Sequence, residues 1–203
     1  MATEYSPVYE VYEDDDLLVI VEGEFPPHEV AATGWLGPDP ASSVRKKMRF
    51  DPEQTLLGAK LCTTYFTRLK SDSGLSLLRA CPFTGRGHQI RATLLALGFP
   101  VAGDKLYGVD ATLFLRFISD QLTSNDWLRL RIPRQALHAS RLTINHPAMG
   151  EATTFVASLP SSLENPLITK NKKDGVTIRG HSILSFFCRP PANAGSTTRT
   201  KRR

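Results

Sequence analysis

Between Lys60 and Cys81 two β-forming runs flank a compact turn, and this pairing constrains the fold more than any other stretch. Leu61-Cys62-Thr63-Thr64-Tyr65-Phe66-Thr67 is rich in the β-branched and aromatic residues that suit a pleated, half-buried surface. Ser71-Asp72-Ser73-Gly74 supplies turn chemistry, and Leu75 to Ala80 returns as the partner strand. A second strand is predicted over Leu17-Leu18-Val19-Ile20-Val21, where an unbroken apolar run calls for burial on both faces. A shorter one is expected around Val8, Val11 and Tyr12. The Pro/Gly-rich stretch from Phe25 to Pro40 predicts an irregular loop. Ile90, Leu94 and Leu97 recur at helical spacing, with Thr84 as an N-terminal cap and Gly98 and Pro100 as the stop. Ala111 to Leu122 predicts a second helix that continues past Asp126. Two late strands, Leu137 to Ile144 and Thr153 to Leu159, are joined by a turn over Asn145 to Gly150. Strands mixed with helices, without regular βαβ alternation, place the chain in the α+β class.

The net charge of +5 over 203 residues conceals an uneven distribution. Residues 1–40 hold ten acids and no Lys or Arg, whereas residues 41–150 hold sixteen basic groups against seven acidic ones. Such a basic middle suits a polyanion, though a solvated basic face would look the same. The acidic start opposes a secretory signal or an Arg-rich presequence, so the cytoplasm is the default expectation. No apolar run approaches the roughly 20 residues that span a bilayer, and no membrane partner is expected. Cys62, Cys81 and Cys188 lack zinc-ribbon spacing, and the histidines lack metal-ligand spacing, so no metal is expected. After about Pro166 the composition turns to Asn, Lys, Gly, Ser, Thr and Arg. The expected organisation is one domain over residues 1–165 and a basic, disordered tail over 166–203, which could also serve as a nuclear signal.

The chemistry concentrates in Thr84-Gly85-Arg86-Gly87-His88-Gln89-Ile90-Arg91 and in Gly103-Asp104-Lys105-Leu106-Tyr107-Gly108. Gly85 and Gly87 permit a tight entry into a helix, whose exposed N–H groups favour an anion beside Arg86 and His88. Arg91 adjoins the apolar stripe, so a partly desolvated guanidinium there needs a carboxylate or phosphate. A capped helix with satisfied surface arginines fits the same residues.

These two segments, followed by Leu137-His138-Ala139 and His146-Pro147-x-x-Gly150-Glu151, resemble the RluA-type RNA pseudouridine synthases in order and spacing. Thr33 to Asp39, leading into Arg45-Lys46-Lys47-Met48-Arg49, is similar to that family's insert. The likeness spans roughly residues 21–160, with Gly87 standing where the family usually has Thr. It implies a mixed, mainly antiparallel sheet with flanking helices, and isomerisation of uridine to pseudouridine in rRNA or tRNA without metal or organic cofactor. It further implies that Arg91 pairs with a catalytic aspartate. The RNA-binding set it suggests is Arg45, Lys46, Lys47, Arg49, Arg86, His88, Gln89 and Lys105.

The aspartate itself is the departure. The family motif H-R-L-D occurs nowhere in the chain, and Ile20 runs straight into Val21-Glu22-Gly23 where the motif and its strand belong. The position of the base-stacking tyrosine falls on Leu17. The expectation is therefore a truncated, catalytically impaired member in which Arg91 lacks its acid. A non-catalytic RNA-binding remnant and a chain assembled from wrong exons are the alternatives. Asp14, Asp15 and Asp16 are the nearest substitutes, although such a run usually forms a solvated turn. Asp104 reads as a turn or cap residue, and Tyr107 as core.

Overall fold

The structure, a computed structural model, describes residues 17–108, 110, 112–146 and 148–164. The strand expected near Val8, the acid run Asp14 to Asp16 and the basic tail fall outside them. The elements, in chain order, are β1 (Leu17–Glu22), β2 (Val30–Pro38), β3 (Met48–Asp51), β4 (Lys60–Asp72) and β5 (Leu75–Pro82). Then come α1 (Gln89–Ala96), α2 (Leu113–Ile118), α3 (Ser124–Leu130), β6 (Leu137–Ala139), β7 (Arg141–Asn145), β8 (Ala152–Val156) and α4 (Ser161–Glu164). Six strands form one sheet in the order β3-β2-β4-β5-β1-β6, and every neighbouring pair is antiparallel. β7 and β8 make a separate two-stranded hairpin. The expected α+β class, with a mainly antiparallel sheet and flanking helices, is what the chain adopts.

The hairpin of β4 and β5 supplies the middle of the sheet, with Ser73 and Gly74 at positive φ in its turn. β1 packs against β5 in unbroken register from Leu17 opposite Ala80 to Glu22 opposite Leu75. Its other edge pairs with β6. Val19, Ile20 and Val21 are fully buried between these partners, as the apolar run demands. The Ile20–Val21 junction, where the sequence looks spliced, is thus the middle of a regular strand. Phe25 joins the core edge-on to Phe66 and Phe99, with ring centroids 6.1 and 4.8 Å apart.

Three local expectations are corrected. Most of the expected loop at Phe25 to Pro40 is strand β2, paired with both β3 and β4. Its glycines are there for close approach rather than for turns. A Cβ on Gly34 would lie 2.5 Å from the Phe50 ring, and one on Gly37 would lie 3.0 Å from Ala59 Cβ. The long helix after Ala111 is two short ones. Asp120 takes a positive φ at the break, and Thr123 opens α3 with a capping box closed by Asp126. The late strand from Leu137 breaks at Ser140, so β6 stays with the main sheet while β7 leaves it for β8.

Candidate functional site

The loop between β5 and α1 is held by a single buried side chain. Gln89 Oε1 accepts from Thr84 Oγ1 at 2.8 Å and from the Arg86 N–H at 3.1 Å. Its Nε2 donates to the Thr63 carbonyl at 3.0 Å and to Thr64 Oγ1 at 2.9 Å on β4. Thr84 therefore anchors the loop through Gln89 rather than capping the helix. Gln89 is 3% exposed with both ends of its amide engaged, so its first role is to hold the loop. The cap position belongs to His88, in the left-handed region at φ 62°. That conformation is uncommon outside glycine and is tolerated best by Asn, Asp and His. At the far end of α1 the prediction holds: Gly98, at φ 85°, donates to the Leu95 carbonyl and Phe99 donates to Leu94.

One turn into α1, Arg91 meets Asp104. Nε donates to Oδ2 at 2.6 Å and Nη2 to Oδ1 at 2.8 Å, a bidentate pair in which Asp104 has no exposed side-chain surface. Asp104 Oδ1 also accepts from the Leu106 and Tyr107 N–H groups at 2.9 and 3.0 Å. Asp104 is thus the turn residue expected and also the partner of Arg91. The expectation of an arginine left without an acid is corrected: the desolvated guanidinium found its carboxylate in the second motif.

Tyr107 is fully buried, as expected of a core residue. The Arg91 guanidinium lies 4.7 Å from its ring centroid. Its hydroxyl accepts from the Met48 N–H at 2.8 Å and sits 2.9 Å from His88 Nδ1. This oxygen therefore ties the start of β3 to the start of α1. Burial and the positive charges of Arg91 and Lys46 lower the pKa of His88, against the opposing pull of Asp104. Burial raises that of Tyr107. His138 and His146 are engaged in local hydrogen bonds, to the Ala157 carbonyl and from the Ala148 N–H.

A cavity of about 550 Å³ opens beside this cluster. Leu17, Arg86, His88, Arg91, Gln135 and Leu137 are among its walls, and none of the described residues lining it is acidic. The remaining expected cations divide into two groups. Arg45, Lys46, Arg49 and Arg86 are exposed and make no ion pair or side-chain hydrogen bond among the described residues. Lys47 is drawn inward to Asp39 at 3.8 Å, with both side chains 13% exposed. Lys105 donates to the Pro133 carbonyl at 2.7 Å and lies 4.8 and 5.1 Å from the ring centroids of Phe117 and Trp127. A basic motif in sequence does not separate the two groups, because a lysine's long stem reaches internal acceptors as readily as solvent.

No family model matches the chain. A ribosomal large subunit pseudouridine synthase D of Nitrosomonas europaea is 38% identical over 104 residues, 51% of this chain and 28% of that protein. A dual-specificity RNA pseudouridine synthase RluA of Haemophilus influenzae is 34% identical over 113 residues, 56% of this chain and 43% of that protein. The chain is similar in sequence to RluA- and RluD-type RNA pseudouridine synthases over about half its length. The solved structure of human RNA pseudouridylate synthase domain containing 1 shares the fold, with a TM-score of 0.57 at 22% identity. That likeness covers 78% of this chain and 62% of the human one. The chain spans between 28% and 43% of the length of the two curated relatives named. Leu17 at the cavity wall stands where the resemblance expects a tyrosine.

Proposed function

We propose that this chain binds structured RNA, rRNA or tRNA, across the entry of α1 and the connection between β2 and β3. An unstacked nucleotide enters the cavity, and the isolated chain does not isomerise it. The observation that carries this reading is the state of Asp104. Its side chain has no exposed surface and is not among the residues lining the cavity, so it does not reach a sugar bound there. A nucleophile has to reach roughly 3–3.5 Å from its target with a free lone pair. The cavity volume lies within the range of small-molecule sites, about 300–1,000 Å³. Arg45, Lys46, Arg49 and Arg86 supply the cationic surface on which backbone-directed RNA binding depends.

A second reading has one specific observation behind it. Leu17 lines the cavity, so Asp16, Asp15 and Asp14 precede the wall directly in sequence. In that reading one of these carboxylates bonds to ribose C1′ as the uracil leaves with the electrons of its N1 bond, and is released when the base rejoins the sugar through C5.

The deciding experiment measures RNA affinity against salt and pseudouridine formation, both on the purified 203-residue chain with cellular rRNA and tRNA. Salt-dependent binding without pseudouridine is expected. Changing Arg45, Lys46 and Arg49 together to Ala should reduce the magnitude of the slope of log K against log salt by about 2–3. Salt-independent binding would remove RNA as the partner. Pseudouridine formation that disappears when Asp14, Asp15 and Asp16 become Asn would establish the second reading.

A further inference from the structure

We infer that His88 is a ligand-contacting residue: Tyr107 fixes its imidazole so that Nε2–H faces the cavity as a neutral donor for a pyrimidine carbonyl oxygen. This inference rests on the proposed entry of a nucleotide into the cavity.

The hydrogen-bond geometry around one oxygen determines the tautomer. The Met48 N–H can only donate, so the Tyr107 hydroxyl accepts from it at 2.8 Å. The phenolic proton then needs an acceptor of its own, because Tyr107 is fully buried and a buried donor without a partner is rare. His88 Nδ1, at 2.9 Å, is the acceptor that geometry offers among the described residues. If Nδ1 carried a proton, the tyrosine oxygen would accept twice and its own proton would be stranded. Nδ1 is therefore bare, and the ring proton sits on Nε2. The charges around the ring act in the same sense. Arg91 and Lys46 oppose a third cation here, and burial does too, with Asp104 the single opposing influence.

Nε2 has no partner among the described residues, and His88 lines the cavity. Its backbone stands at φ 62°, a conformation that carries a cost outside glycine. The Tyr107 bond holds the ring edge-on to the phenol, with centroids 5.5 Å apart and planes at 79°. An uncharged N–H beside Arg86 and Arg91 divides the work in the cavity. The exposed Arg86 guanidinium suits phosphate, whereas a neutral imidazole suits an uncharged carbonyl on a base.

Long-range ¹H–¹⁵N NMR of the imidazoles in the full chain tests this directly. Between pH 7 and 8 His88 should show the Nε2–H tautomer, and Tyr107→Phe should release it to a mixture. Uridine 5′-monophosphate should shift the His88 Nε2 resonance, and inorganic phosphate at equal concentration should not. His88→Asn, which tolerates the left-handed backbone, should bind uridine 5′-monophosphate roughly three- to tenfold more weakly, the loss of one hydrogen bond. Its RNA salt slope should stay that of the wild type. An Nδ1–H tautomer, an equal response to phosphate, or unchanged affinity in His88→Asn would each overturn the inference. Wild-type protein that binds RNA with His88 unmoved would sink this inference and spare the RNA reading. Protein that binds neither RNA nor nucleotide would sink both.

Discussion

Asp104→Asn is the substitution whose cost the geometry sets most tightly. An amide of the same shape keeps an oxygen at the Oδ1 position, which serves Arg91 Nη2 and the Leu106 and Tyr107 N–H groups. It then places an NH₂ where Oδ2 accepted from Arg91 Nε at 2.6 Å, so two donors face each other. Arg91 is 14% exposed and Asp104 has no exposed side-chain surface, so little water can replace the lost charge. Breaking a buried pair from one side costs about 3–5 kcal/mol, because the surviving ion stays desolvated and uncompensated. Arg91→Met leaves the opposite ion stranded and should cost less, since two backbone N–H groups still serve the carboxylate. The double variant Arg91→Met/Asp104→Asn removes both charges, and its cost should fall short of the sum of the singles by about 2 kcal/mol. Urea unfolding followed by fluorescence of Trp35 and Trp127 measures all four proteins. Additive costs, or an Asp104→Asn penalty below about 1 kcal/mol, would mean that the pair is well solvated and that the cavity wall is softer than its geometry implies.

Three other outcomes follow from particular contacts. A Cβ on Gly103, at φ 71°, would lie 2.1 Å from the Arg134 carbonyl oxygen and 2.6 Å from that of Ile132. Gly103→Ala should therefore cost at least about 2–4 kcal/mol in thermal unfolding, since backbone on both sides must move. Thr123→Ala removes the side-chain half of the α3 capping box and should cost about 1 kcal/mol, with helix fraying visible in amide exchange around Asp126. His88 has a folded pKa below its ordinary 6.5, so the unfolded chain binds the extra proton first. Its contribution is complete above pH 6.5 and is lost as pH falls through the lowered folded value. A stability profile flat between pH 7 and 5, once matched against His88→Asn, would contradict this.

The parts of the fold legible in the sequence are those whose causes are local. The β4–β5 hairpin carries its own turn residues, and β1 carries its own apolar run; both appear where expected. The stop of α1 is likewise local, since Gly98 and Phe99 close it on the preceding turn. β2 was hidden because a glycine reads as punctuation until its neighbour across the sheet is known, and Phe50 is that neighbour for Gly34. The break between α2 and α3 did carry a signal, Thr123 followed by Asp126, which a pattern of apolar residues alone passes over. At the site, Arg91 was legible as a group in need of a counter-ion, but its distance along the chain from Asp104 concealed which one. Gln89 is the opposite case. A polar side chain inside a recognisable motif looks like a contact for ligand, and nothing local says that its amide is closed on Thr63, Thr64, Thr84 and Arg86.

An arginine in a cavity wall can be neutralised by the ligand or by the protein, and the two cases make different sites. In the first, the guanidinium draws an anion inward and the empty site is electrostatically unsettled. In the second, which Asp104 establishes, the charge is cancelled before anything binds. Freeing Asp104 Oδ1 would also abandon the Leu106 and Tyr107 N–H groups, which are buried with it. The turn that presents Tyr107 to Met48 and His88 would lose its anchor at the same time. Detaching Oδ1 and keeping the cavity wall intact therefore exclude each other. What the wall can still offer a nucleotide is shape, exposed positive charge at Arg86 for phosphate, and one directed neutral donor at His88. Those features suit an unstacked base, and none of the described residues lining the cavity is a carboxylate that could act on its sugar.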